Sequence, residues 1–151
     1  EVLASALKFG QARLSPNSLG QIAGEGLFDL GQDYYNGIIA EYQKRRDVLV
    51  ELLNKIPGVH CPNPGGAFYA VASLPVKDTD EFCQWMLESF SYNNATVMMA
   101  PASGCYSTTG SGKSEVRIAY VLNTADLTAA IKCLEEGLKE YAKAGVGSTA
   151  Q

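Results

Sequence analysis

The sequence predicts an α/β fold, a small sheet covered by helices. Three observations carry that expectation. After one long helical stripe the chain alternates in the order strand, helix, strand, strand, helix. Proline- and glycine-rich breaks separate these runs. The 151 residues are 46% apolar and 19% charged, the balance of one globular domain with a core of its own.

The elements follow in order. "EVLASALKFG" has Val2, Leu3, Ala6 and Leu7 at helical spacing. It starts in mid-pattern without an initiator methionine, which predicts a piece of something longer. "QARLSPNSLG" breaks the pattern, because Pro16 lacks an amide hydrogen and holds Ser15 extended. A helix restarts near Ser18 or Leu19 and runs to about Leu30, weakened by Gly24 and Gly26. The clearest helix spans residues 33–56. Tyr35, Ile38, Ile39, Tyr42, Leu49, Leu52, Leu53 and Ile56 form its stripe, and Pro57-Gly58 stops it. At about 1.5 Å per residue it is roughly 35 Å long.

"AFYAVA" then reads as a short buried strand. "DTDEFCQWMLESF" is a helix capped by Asp78 or Thr79, with Phe82, Met86 and Phe90 on its apolar face. "ATVMMAP" is a strand ended by Pro101, and "EVRIAYV" a strand after a Gly/Ser loop. The last helix is capped at Asn123 or Thr124 and aligns Leu127, Ile131, Leu134, Leu138 and Tyr141. The tail "GVGSTAQ" reads as loose. These elements predict a domain over residues 33–144, with residues 1–32 belonging to a neighbouring segment, 145–151 a flexible tail, and a seam within 30–35.

Composition narrows the function. A net charge of −4 and a pI near 5.0 argue against nucleic acid as a partner. No run approaches the roughly 18 apolar residues of a membrane span, and the start has no signal-peptide pattern. One histidine, His60, and four scattered cysteines leave no zinc-ligand spacing and little room for a Ser–His–Asp triad. The cysteines read as buried thiols of a reducing cytoplasm. His60 reads as a strand-end residue, and Trp85 as core.

"TTGSGKS" looks like a phosphate-binding loop, but that motif requires glycine where Ser107 stands and a helix where "EVRIAYV" follows. A turn joining two strands is the better reading of Lys113 and its neighbours. Arg117 keeps two readings open. One is a surface-facing arginine on an edge strand; the other is a guanidinium presented to a carboxylate, whose two oxygens its planar fork matches.

"NPGGAFYAV", "VMMAPASGCY" and "EVRIAYVLN" with its following helix, in that order and spacing, resemble the C-terminal portion of class I/II aminotransferases, the fold-type-I pyridoxal-phosphate enzymes. The likeness runs from "ARLSPNSLGQ" to about Tyr141. It implies the small C-terminal domain of that fold, in a homodimeric enzyme that moves an amino group from an amino acid to a 2-oxo acid. It implies that Arg117 binds the substrate α-carboxylate, that Phe68 lines the active site with Tyr69 as the adjoining candidate, and that Ser15 and Asn17 approach the cofactor phosphate of the partner subunit. The Schiff-base lysine of the family lies upstream of the segment represented here. The resemblance therefore implies no catalytic residue in this chain and no specific pyridoxal-phosphate site of its own. Two departures stand out: Pro101-Ala102 where the family often has Pro-Gly, and Tyr106 where it often has phenylalanine. A lyase or decarboxylase of the same cofactor class, and a stand-alone module binding small carboxylates, remain alternative expectations.

Overall fold

In a computed structural model of the chain, residues 2–12 and 17–145 are described. Ser15 and the tail residues 146–151 lie outside them. The chain divides into two compact units, Glu1–Ile38 and Ile39–Gln151, and the division falls inside one helix.

The first unit is helical. α1 spans Val2–Ala12 and α2 spans Ser18–Glu25, followed by a 3-10 turn over Gly26–Asp29. Asn17 caps α2 through its side-chain oxygen, which accepts from the Gly20 amide at 2.7 Å. The helix expected to reach Leu30 thus tightens into 3-10 geometry at Gly26, the weak helix former singled out in the sequence. Its apolar side chains face outward: Leu3, Phe9, Leu19 and Phe28 are all exposed. α3 (Gln32–Leu53) carries the chain into the second unit. It ends three residues before the predicted stop; turns then run through Asn54–Gly58.

The second unit stacks a three-stranded antiparallel sheet on helices. β1 is Tyr69–Ser73, β2 is Ala100–Pro101 and β3 is Glu115–Ala119, in the spatial order β1-β3-β2. α4 (Thr79–Glu88) follows β1, and α5 (Thr124–Lys143) follows β3. The order strand, helix, strand, strand, helix is the one the sequence predicts. Period-two alternation puts Ala70, Ala72 and Val116 on the buried sheet face. They join Leu49 and Leu53 of α3, Phe82 and Met86 of α4, and Leu127, Ile131, Leu134 and Leu138 of α5 in one core. Trp85 packs against it between Phe82 and Phe90.

Both helix starts follow from local chemistry. Asp78 accepts from the Asp80 and Glu81 amides, and Asn123 from the Asp126 amide. Thr79, the fully buried polar side chain of this unit, donates from its hydroxyl to the Glu115 carbonyl at 2.9 Å, while its amide donates to the Lys113 carbonyl at 2.8 Å. α4 is thereby bonded to the start of β3.

Three further expectations change. The strand expected over "ATVMMAP" shrinks to Ala100–Pro101. Residues Tyr92–Ala95 form a tight turn with positive φ at Asn93 and Asn94, and the Thr96 hydroxyl donates to the Met86 carbonyl. Residues 96–99 make no ladder pairs with the sheet. β1 is half-buried rather than buried, since Tyr69 and Val71 face outward. Of the four free cysteines, Cys61, Cys83 and Cys133 are buried but Cys105 is exposed, at the end of a 3-10 turn. Burial, then the Asp80 charge, pushes the Cys83 thiol up to about 11. Among the described residues no helix is long and apolar enough to cross a membrane, and no cluster of His, Cys, Asp or Glu could hold a metal ion.

Candidate carboxylate site

Arg117 stands in the middle of the sheet. β3 is the central strand, and Arg117 lies opposite Val71 on one side and Ala100 on the other. The edge-strand placement is therefore not the one observed. The side chain points to the exposed face, away from the buried Val116. Its guanidinium carbon sits 4.7 Å from the centroid of the Tyr69 ring, a cation–π contact. It makes no ion pair or hydrogen bond with any described side chain. A cation fixed on one side by a ring, and open on the other, has its donor fork available to an anion.

Phe68 and Tyr69 lie together, ring centroids 4.4 Å apart, at the entry to β1. Tyr120 places them. Its amide donates to the Phe68 carbonyl at 3.0 Å, and its hydroxyl to the Ala67 carbonyl at 2.8 Å. Ala67 itself has φ of 60°, so the turn needs that outside hold. Two arginines of α3 brace the surroundings: Arg45 donates to the Val121 carbonyl at 2.6 Å and Arg46 to the Pro64 carbonyl at 3.3 Å. The Tyr42 ring lies 6.5 Å from Phe68 and 6.4 Å from Tyr120. The sequence reading missed Tyr120, Arg45 and Arg46. Tyr120 carried one signal, a phenol at a core-facing strand position, which needs a partner for its hydroxyl.

The loop after β2 borders this face. Tyr106 donates from its hydroxyl to Glu115 Oε2 at 2.5 Å, and Ser103 donates to Asp80 at 2.7 Å. The hydrogen bond to the Glu115 carboxylate is the first cause that raises the Tyr106 pKa above its ordinary value. Lys113 is exposed and lies 4.0 Å from Asp78, in a turn that leads into β3 and not into a helix. Gly112 makes the loop possible. Its φ is +72°, and a Cβ there would lie 2.5 Å from the Tyr106 ring and 2.9 Å from the Ala102 carbonyl. Gly112→Ala is expected to lower stability by about 1–3 kcal/mol. Urea unfolding measures this, and an unchanged midpoint would contradict the account of the loop.

Asn17 serves as a helix cap in the first unit, and Ser15 is outside the described residues. Within the second unit, the structure brings Arg117, Tyr69 and Phe68 together.

Known proteins share this arrangement of elements. The family model "Aminotransferase class I and II" matches residues 1–134. The aspartate aminotransferase of Rhizobium meliloti (strain 1021) is 29% identical over 144 residues, 87% of this chain and 32% of the relative. That of Musicola paradisiaca is 31% identical over 110 residues, 69% of this chain and 25% of the relative. Among solved structures, the alanine aminotransferase of Pyrococcus furiosus is 28% identical with a TM-score of 0.66, over 88% of this chain and 33% of its own. The α-aminoadipate aminotransferase of Thermus thermophilus, solved with N-(5'-phosphopyridoxyl)-L-leucine, shares the fold at 19% identity and a TM-score of 0.70, over 88% of this chain and 34% of its own. The chain spans about a quarter to a third of the length of these proteins. With the family match running through both units to within α5, the chain belongs to the class I and II aminotransferases.

Proposed function

We propose that the chain is the C-terminal, substrate-carboxylate-binding part of a pyridoxal-phosphate-dependent aminotransferase that moves an amino group from an amino acid to a 2-oxo acid. The observation that carries this reading is the guanidinium of Arg117, presented on the open face of the central strand with Tyr69 behind it and no internal carboxylate partner among the described residues. In this reading residues 33–144 are the small domain, and residues 1–32 belong to the large domain or its border. The exposed apolar side chains of α1 and α2 suit a segment that packs on further protein. The intact protein is read as a cytoplasmic homodimer.

The residues of this chain do not by themselves fit the cofactor. A Schiff-base lysine must present a neutral amine, which desolvation or a cationic neighbour provides. All eight lysines here are exposed. Hydrogen bonds to Glu135 and Glu136 raise the pKa of Lys132 and Lys139, the opposite of what that role needs. What this chain supplies is positioning. Arg117 donates to the substrate carboxylate in a two-pronged bond, which fixes the direction of the neighbouring Cα bonds. The Phe68 and Tyr69 rings limit where the rest of the molecule lies.

The test is nitrogen transfer by the full-length protein. Given a mixture of isotope-labelled amino acids with 2-oxoglutarate or pyruvate, label is expected in the amino acid formed from the oxo acid. Release of ammonia or carbon dioxide without such transfer would overturn the reading in favour of a lyase or decarboxylase.

A further inference from the structure

Arg117 shares its strand face with an acid. Glu115 is two residues away on β3, and side chains two apart on a strand point the same way, about 6–7 Å from each other. Glutamate and arginine both reach across such a gap. An unrestrained Glu115 would therefore pair with Arg117 and compete with any incoming carboxylate. In the structure it does not; its carboxylate accepts from the Tyr106 hydroxyl, and Arg117 lies over Tyr69 on the other side. Tyr106 is held in place for this. Its ring fills the space that Gly112 leaves by lacking a side chain, and its segment is tied to α4 through the Ser103–Asp80 hydrogen bond.

We propose that Tyr106 is a positioning residue whose hydroxyl holds the Glu115 carboxylate away from Arg117 and so keeps the guanidinium open to the substrate carboxylate. This rests on the reading of Arg117 as the carboxylate site. It adds to that reading a residue acting at one remove, at a position where the family often carries phenylalanine.

The test is binding of succinate, a dicarboxylate that cannot react, to the full-length protein by titration calorimetry. Tyr106→Phe keeps the ring on Gly112 and removes only the hydroxyl. It is expected to weaken succinate about three- to fivefold, the scale of one exposed ion pair. Tyr106→Phe combined with Glu115→Gln removes the competitor and is expected to return the affinity to within about twofold of the parent, a rescue that general loop damage would not give. Unchanged affinity in Tyr106→Phe, or no rescue in the double variant, overturns the proposal. Arg117→Gln separates the two levels. If it abolishes succinate binding while Tyr106→Phe is silent, only the role of Tyr106 falls. If it leaves succinate binding intact, the carboxylate-site reading falls with it.

Discussion

Replacing Arg117 by alanine in the full-length protein is expected to cost about 2–5 kcal/mol in kcat/KM, on the order of thirtyfold to several thousandfold. The size follows from what is removed. Strands on both sides hold the Arg117 backbone and its guanidinium already lies over the Tyr69 ring, so little ordering remains to be done when a carboxylate arrives. The side chain is exposed in this chain, which places the lower figure with an open site and the higher with one that excludes water. Arg117→Lys is expected to recover only part of the loss, because an ammonium keeps the charge but not the fork. Steady-state kinetics over a range of amino-acid concentrations decides the matter. A kcat/KM within about twofold of the parent would remove Arg117 from the site.

The second large effect concerns stability. Phe82 is 0% exposed, its ring centroid 5.0 Å from Tyr141 of α5 and 6.3 Å from Trp85. It joins α4 to α5 beneath the sheet. Phe82→Ala is expected to destabilise by about 3–5 kcal/mol, from lost burial and from a cavity that two large rings cannot close without leaving their own contacts. Denaturant unfolding measures it, and a loss under about 1 kcal/mol would mean that the site collapses freely. Because a small domain is held by only about 5–15 kcal/mol, a loss of the expected size shows as a large fall in the unfolding midpoint.

Legibility tracked the reach of the signal. α4 and α5 could be placed from the sequence because their cause is local: Asp78 and Asn123 cap them, and their apolar residues repeat at helical spacing. The strand over "ATVMMAP" was overextended because apolar, β-branched composition does not say whether a pairing partner exists. Only Ala100 and Pro101 find one. For Arg117 the alternation along "EVRIAYV" was readable, but its place on the central strand depends on β1 and β2, both more than a dozen residues upstream. The links from Tyr106 to Glu115 and from Tyr120 to Ala67 were not readable at all. A hydroxyl has no periodicity, and its partner is set by how distant turns meet. Asn17 shows the same limit from the other direction. Its capping role is local, yet the sequence reading did not name it, and any role beyond that depends on contacts outside its own helix.

The two hydrogen bonds that Thr79 donates to the chain before and within β3 have a mechanical consequence. Its hydroxyl and amide act as a registration pin between α4 and the strand that bears Arg117. Sliding the strand along the helix would strand a buried hydroxyl without a partner, at a cost of about 1–3 kcal/mol. The guanidinium is thus indexed to the helical layer. Any swing of this layer as a body would carry Arg117 with it.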